Sequence, residues 1–194
     1  MNIFGFYLNI TLLLWILAGI IAFVLLFLWN RYNAFVSGRN RVKTDFADID
    51  VQLRRRASLI ENLVAIVREY AKHEKTTFSD VAKARAALEK PHSPKDSAQA
   101  DNMLTAVLKS LFAVSEDYPD LVASKNYQEL RTDIKETENL IAQYREEYNQ
   151  TVLDFNTMIQ TFPNLLAANL FSFPEEELFE TDVEGKHEIK LSAS

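Results

Sequence analysis

Apolar residues fall into three arrangements along this chain, and each predicts a different surrounding. Residues 3–29 (IFGFYLNITLLLWILAGIIAFVLLFLW) form a nearly unbroken apolar run with no face reserved for water. From Ile10 to Trp29 only Thr11 and Gly19 interrupt it. Coiled as a helix, this stretch rises about 30 Å, the thickness of a bilayer's hydrocarbon core. It predicts a membrane span, with Trp29, Asn30 and Tyr32 at its interfacial end. Two readings compete with a span. A helix buried in a soluble core would need more protein than this chain has to cover every face. A cleaved signal peptide is opposed by the missing basic leader, the length of the run and the bulky residues before Arg31.

From Arg31 onward apolar residues recur every three or four positions. Phe46, Ile49, Leu53, Arg56/Ala57, Ile60, Leu63/Val64, Val67 and Tyr70 lay one stripe along a long helix. No proline precedes Pro91, so this helix can run straight out of the membrane, with Ser37-Gly38 the expected place to bend. Around Lys75-Thr76-Thr77 the pattern pauses, and Phe78, Val81, Arg85 and Leu88 resume it. A kinked continuation and a second helix both fit. Pro91-His92-Ser93-Pro94-Lys95-Asp96 predicts the turn of an antiparallel hairpin. A helix from about Ser97 to Glu116 follows and stops at Tyr118-Pro119. Tyr127, Leu130, Ile134, Thr137, Ile141, Tyr144, Tyr148, Thr151/Val152, Phe155, Ile159 and Phe162 make the most regular stripe. It predicts a helix over 126–160, about 50 Å long, which needs the first long helix as its partner. The sum is an all-α fold, one transmembrane helix followed by an elongated antiparallel up-and-down bundle of three to four helices. Residues 1–30 are expected to be the anchor, 31–180 the bundle and 181–194 a frayed tail.

Past Phe162-Pro163 the third arrangement begins. Asn164–Phe173 (NLLAANLFSF) is apolar without sustained period, and Pro174-Glu175-Glu176-Glu177-Leu178-Phe179 leads into an acidic tail. One reading is a strap whose Leu165, Leu166, Leu170, Phe171, Phe173 and Phe179 cap the open end of the bundle. The other is an exposed apolar surface that docks a second protein or the bilayer headgroup region.

Charge sharpens this picture. All 21 Lys+Arg and 27 Asp+Glu follow Asn30, so the net charge of −6 belongs to residues 31–194. That balance argues against a nucleic-acid partner. Arg31, Arg39, Arg41 and Lys43 follow the span and nothing basic precedes it. This bias favours a single pass of the cell's inner membrane, with the bundle in the cytoplasm and the amino terminus outside.

Candidate chemistry is sparse. Without cysteine the chain has no disulfide, thiolate nucleophile or Cys-containing metal site. His73, His92 and His187 fall in a helix, a loop and a tail, none with a second histidine at zinc-protease spacing. Glu136-Thr137-Glu138 with Glu146-Glu147 lacks the Glu-x-x-His repeats of di-iron bundles and reads as a solvated face. Four glycines supply neither a phosphate loop nor a nucleophile elbow. No cofactor, metal or catalytic residue is expected. Arg54-Arg55-Arg56 covers most of a helix perimeter, so one arginine must approach the packed side, its stem over the core and its guanidinium on an acid such as Glu138, Glu146 or Glu147. A positive patch for an acidic partner is the alternative. Asn62, Asn139, Asn149 and Asn156 on heptad flanks are expected to set register or to form a polar strip.

Several separated blocks, in order, resemble a known family. They are Tyr32-Asn33-Ala34-Phe35-Val36, Arg39-Asn40-Arg41-Val42, Ile49-Asp50-Val51-Gln52-Leu53-Arg54-Arg55-Arg56, Leu59-Ile60-Glu61-Asn62-Leu63-Val64 and Tyr70-Ala71-Lys72-His73-Glu74. Glu116-Asp117-Tyr118-Pro119-Asp120-Leu121, Thr137-Glu138-Asn139, Tyr148-Asn149, Phe155-Asn156 and Phe162-Pro163-Asn164 complete the set. Over residues 30–180 the chain resembles the LemA family of small bacterial membrane-anchored helical proteins. It departs from the family at Glu61, where proline is usual, and at Val122, where lysine is usual. Lacking cysteine, it resembles the membrane-spanning members rather than the lipid-bearing ones. The resemblance implies a helical bundle and, because family genes often lie near an HtpX-type membrane metalloprotease, a partner of that kind.

These readings converge on a non-enzymatic membrane-anchored scaffold or adaptor held in the bilayer through residues 3–29. Its candidate partner surface comprises Arg54, Arg55 and Arg56, His73 and Glu74, Tyr118 and Pro119, and Leu170, Phe171 and Phe173. The alternatives are a self-assembling homo-oligomer and a hydrolase with a carboxylate–histidine site at His73, Glu74 and Glu116.

Overall fold

The computed structural model describes residues 3–71, 75–88 and 93–179. These form six helices: α1 (Ile3–Tyr70), α2 (Lys75–Ala87), α3 (Pro94–Glu116), α4 (Pro119–Val122), α5 (Lys125–Gln160) and α6 (Asn164–Leu170). The fold is all-α. Met1–Val42 with Leu153–Glu176 makes one compact unit, and Lys43–Val152 with Glu177–Ser194 makes a second. Both α1 and α5 contribute to each.

In the first unit α1 carries the apolar run. No side chain from Thr11 to Leu26 is buried, which removes the buried-core reading, and this is a helix long and apolar enough to cross a membrane. α1 then passes Ser37-Gly38 without a break in the helix. Gly38 serves a close approach. A Cβ at that position would lie 2.9 Å from Phe155 Cδ2 and 3.0 Å from Met158 Cε, so α5 presses on bare backbone. Phe35, Val42, Phe155 and Ile159 are buried around this contact.

α6 closes with Ser172 in the left-handed region, φ 56°. The Phe173 N–H donates to Ala168 O at 3.0 Å and the Ser172 N–H to Asn169 O at 3.3 Å, the paired bonds of a Schellman motif with serine where glycine is usual.

In the second unit, partners that advance along α1 retreat along α5. Asp45 accepts from the Thr151 hydroxyl at 2.6 Å, the Phe46 and Tyr148 rings lie 5.7 Å apart, and Arg56 reaches Glu138 at 3.7 Å. The two helices are therefore antiparallel here, as their stripes predict. Ile49, Leu53, Ile60, Leu63 and Val67 of α1 are fully buried, as are Leu111 of α3 and Val152 of α5. Each such aliphatic contributes roughly 1.5–3 kcal/mol against an exposed reference. Thr137 sits within α5's buried stripe because its hydroxyl donates back to Asp133 O at 2.7 Å.

α1 ends at Tyr70 and α2 starts at Lys75, so these are two helices, and the Lys75-Thr76-Thr77 pause falls in the first turn of α2. α2 packs on α3. α3 starts at Pro94, a turn earlier than the expected Ser97. Ser93 caps it: its hydroxyl accepts from the Asp96 N–H at 3.1 Å, and Asp96 Oδ2 accepts from the Ser93 N–H at 3.2 Å. Proline at the first helical position needs no N–H there. The Pro91-His92 half of the predicted turn and the 181–194 tail lie outside the described residues.

Candidate functional site

The three successive arginines separate according to the face of α1 each occupies. Arg54 turns outward and donates to Asp50 one turn back at 2.9 Å. Arg55 is also exposed and lies 3.9 Å from Glu136. Arg56 falls on the stripe between Leu53 and Ile60 and is only 2% exposed.

Arg56 Nη1 donates to Asp101 Oδ1 of α3 at 2.6 Å. Asp101 Oδ2 accepts from Arg145 Nη1 of α5 at 3.1 Å. One carboxylate therefore joins two guanidiniums from different helices, with both its oxygens used. Arg145 further lies over the Phe179 ring, 5.7 Å from its centroid. Arg56 does approach the core and reach Glu138, as the perimeter argument requires. Its main partner, however, is Asp101 of α3 at 2.6 Å, rather than an acid of α5. The signal was present: Asp101 stands on α3's own inward stripe, three residues before Leu104 and flanked by buried Ala98 and Ala100. An acid at such a position needs a cation.

Two asparagines of α5, seven residues apart, hold the returning chain by its backbone. In the first unit, Asn156 Nδ2 donates to Glu176 O and its Oδ1 accepts from the Glu176 N–H, both at 2.9 Å. In the second unit, Asn149 Nδ2 donates to Phe179 O at 3.3 Å and its Oδ1 accepts from the Phe179 N–H at 2.8 Å. Each amide imitates a neighbouring strand. Tyr148 Oη adds a bond to Glu177 O at 2.7 Å. Asn149 and Asn156 thus grip the returning backbone, a role not foreseen for them, while Asn62 and Asn139 are exposed.

Beside the arginines an open groove of about 170 Å³ is lined by Arg54, Ala57, Ser58, Glu61, Arg85 and Leu88. Arg85 of α2 pairs with Glu61 of α1 across it. Tyr118 is half-buried and precedes exposed Pro119, the first residue of α4. In the segment after α5, Phe173 is half-buried and Phe179 buried, whereas Leu165, Leu166, Leu170 and Phe171 are exposed. Of the six residues expected in a cap, four are thus exposed. His73 and Glu74 lie outside the described residues, and Glu116, their companion in the hydrolase reading, is exposed at the end of α3. Among the described residues no group of three or more His, Asp or Glu side chains could hold a metal ion.

Against known proteins, a family model described as the LemA family matches residues 45–192. Magnetosome protein MamQ of Magnetospirillum gryphiswaldense is 26% identical over 187 residues, covering 83% of this chain and 68% of that protein. Magnetosome protein MamQ 2 of Paramagnetospirillum magneticum is 27% identical over 188 residues, with 84% and 69% covered. Protein LemA of Metamycoplasma hominis is 29% identical over 179 residues, with 84% and 81% covered.

Proposed function

The chain belongs to the LemA family, and on that premise we propose that it is a membrane-anchored scaffold or adaptor, without chemistry of its own, that engages another membrane or envelope protein. The observation that carries this reading is how the charges buried in the second unit are used. Arg56 and Asp101 close on each other and on Arg145 instead of facing a cavity, so they hold helices together and leave no poised acid or base. What the bundle offers a partner is surface: Arg54 and Arg55 on one side, and the Tyr118-Pro119 corner. The Lys/Arg bias after the span supports a cytoplasmic bundle with the anchor in residues 1–30. Family resemblance supports an HtpX-type membrane protease as one partner class. The relatives named as magnetosome proteins support a membrane setting for that role.

The test is crosslinking in native membranes, mild detergent extraction and identification of what copurifies. A membrane protein recovered at near-stoichiometric yield, and lost when Arg54→Glu and Arg55→Glu are combined, is the expected result. A clean homo-oligomer with nothing attached would replace the adaptor by a self-assembling scaffold. A monomer alone would overturn both.

A further inference from the structure

α6 has its small and large side chains arranged the wrong way round for a water-facing helix. Ala167 and Ala168 are buried, while Leu166 and Leu170 are 63% and 64% exposed. Just before it Phe162 is 76% exposed, and just after it Phe171 is exposed as well. No charged residue occurs from Phe155 to Pro174. A helix in water buries its leucines and shows its alanines. A helix against lipid does the reverse.

The position of this patch identifies what covers it. Phe171 packs edge-on against Tyr32 with ring centroids 5.1 Å apart, and Phe173 meets Tyr32 and Phe35 at 5.9 and 5.3 Å. Tyr32 follows Trp29, the last residue of the apolar run, by about 4.5 Å of helix rise. All of these residues belong to the first unit. The exposed apolar surface of the span therefore continues sideways onto Phe171 and α6. The polar side of the boundary is marked equally clearly. Arg39, about 10.5 Å beyond Tyr32 along α1, is ion-paired with Glu176, and Arg31 folds back over the Phe27 ring at 5.7 Å, as a cation does at a membrane edge.

We propose that the segment from Phe162 to Phe171 is a second membrane contact. It lies in the plane of the headgroup–acyl boundary beside the point where α1 leaves the bilayer, with Leu166 and Leu170 among the acyl chains. An interfacial helix sinks its apolar face roughly 5–10 Å, a depth compatible with its attachment at Tyr32. The proposal stands on the span and not on the adaptor role.

The chain has no cysteine, so single-site labels are unambiguous. Leu166→Cys and Leu170→Cys, each carrying a nitroxide, would be reconstituted in the full chain at one copy per nanodisc of mixed phosphatidylcholine and phosphatidylglycerol. Collision with oxygen is compared with collision with a water-soluble nickel chelate. Leu17→Cys in the span and exposed Val51→Cys beyond it are the references. Both α6 labels should meet nickel several-fold less than Val51 does, and oxygen more. Nickel access equal to that at Val51 would overturn the proposal. Shielding that appears only with two copies per disc, or only with a copurified protein, would overturn it in favour of that occupant. Nickel access at Leu17 as well would remove the span on which the proposal stands. Both α6 side chains are exposed, so neither substitution disturbs packing, and either site alone decides the question.

Discussion

Replacing Asp101 by asparagine removes one charge at constant shape and leaves Arg56 inside the bundle. The Arg56 and Asp101 side chains are only 3% and 6% exposed, so water can replace little of what is lost. The remaining carboxylate near Arg56 is Glu138, 3.7 Å away and 57% exposed, while Arg145 adds a like charge beside it. Breaking a buried pair by removing one partner costs about 3–5 kcal/mol. An asparagine oxygen still accepts one bond, so the lower end, about 3 kcal/mol, is expected. For a chain of this size that lowers the thermal midpoint by roughly 6–12 °C. Far-UV circular dichroism of the full chain in detergent measures it; both tryptophans, Trp15 and Trp29, lie in the span, so their fluorescence would not. Asp50→Asn, which breaks the exposed pair to Arg54, should change stability by at most about 1 kcal/mol. Arg56→Met combined with Asp101→Leu should recover part of the loss, because it removes both deeply buried charges and leaves only Arg145, 26% exposed, without its carboxylate. If Asp101→Asn costs no more than Asp50→Asn, the buried network is not what joins these helices.

Three further substitutions test the local geometry. Gly38→Ala should lower stability by about 1 kcal/mol, overpacking against the buried Phe155 ring outweighing better helix propensity, whereas Gly19→Ala, with nothing within 4 Å, should not; thermal midpoints compare the two. Asn156→Ala removes both bonds to Glu176 and should cost about 2 kcal/mol, with amide exchange at Glu176 accelerated and Asn156→Asp falling between. Ser172→Gly relieves a left-handed serine and should stabilise by roughly 0.5 kcal/mol, the glycine's extra unfolded freedom offsetting part of the gain, seen as slower exchange of the Phe173 amide.

Periodicity foretold α1 and α5 because a stripe over many turns leaves few alternatives. Short elements escape it: α4 and α6 span four and seven residues, too few for a repeat to show. Pro94 in a polar, two-proline segment signals a turn, yet with Ser93 before it and Asp96 after, it initiates α3. Gly38 carries no mark, in its own helix, of the neighbour that presses on it. Asp101 likewise stands 45 residues from Arg56, on a helix whose place beside α1 no local pattern discloses. Among the candidate surfaces, the arginine run was legible from helix geometry alone. The outward turn of α6 was not, since its leucines and alanines alternate too briefly to fix a face.

The buried network also bears on how the chain finds its fold. Asp101 is 45 residues from Arg56 and 44 from Arg145, nearly midway between them. Closing a loop costs chain entropy that grows as the logarithm of its length, so the two closures cost almost the same and neither gains precedence from connectivity. α3 can dock on either long helix first, and two routes of equal entropic cost lead to one native arrangement. Asp101 takes part in the first docking on either route, and only its second bond waits for the complete bundle. Loss of Asp101 should therefore appear in both rates, as slower folding and as faster unfolding. One buried acid would then govern both how quickly the helices meet and how long they stay assembled.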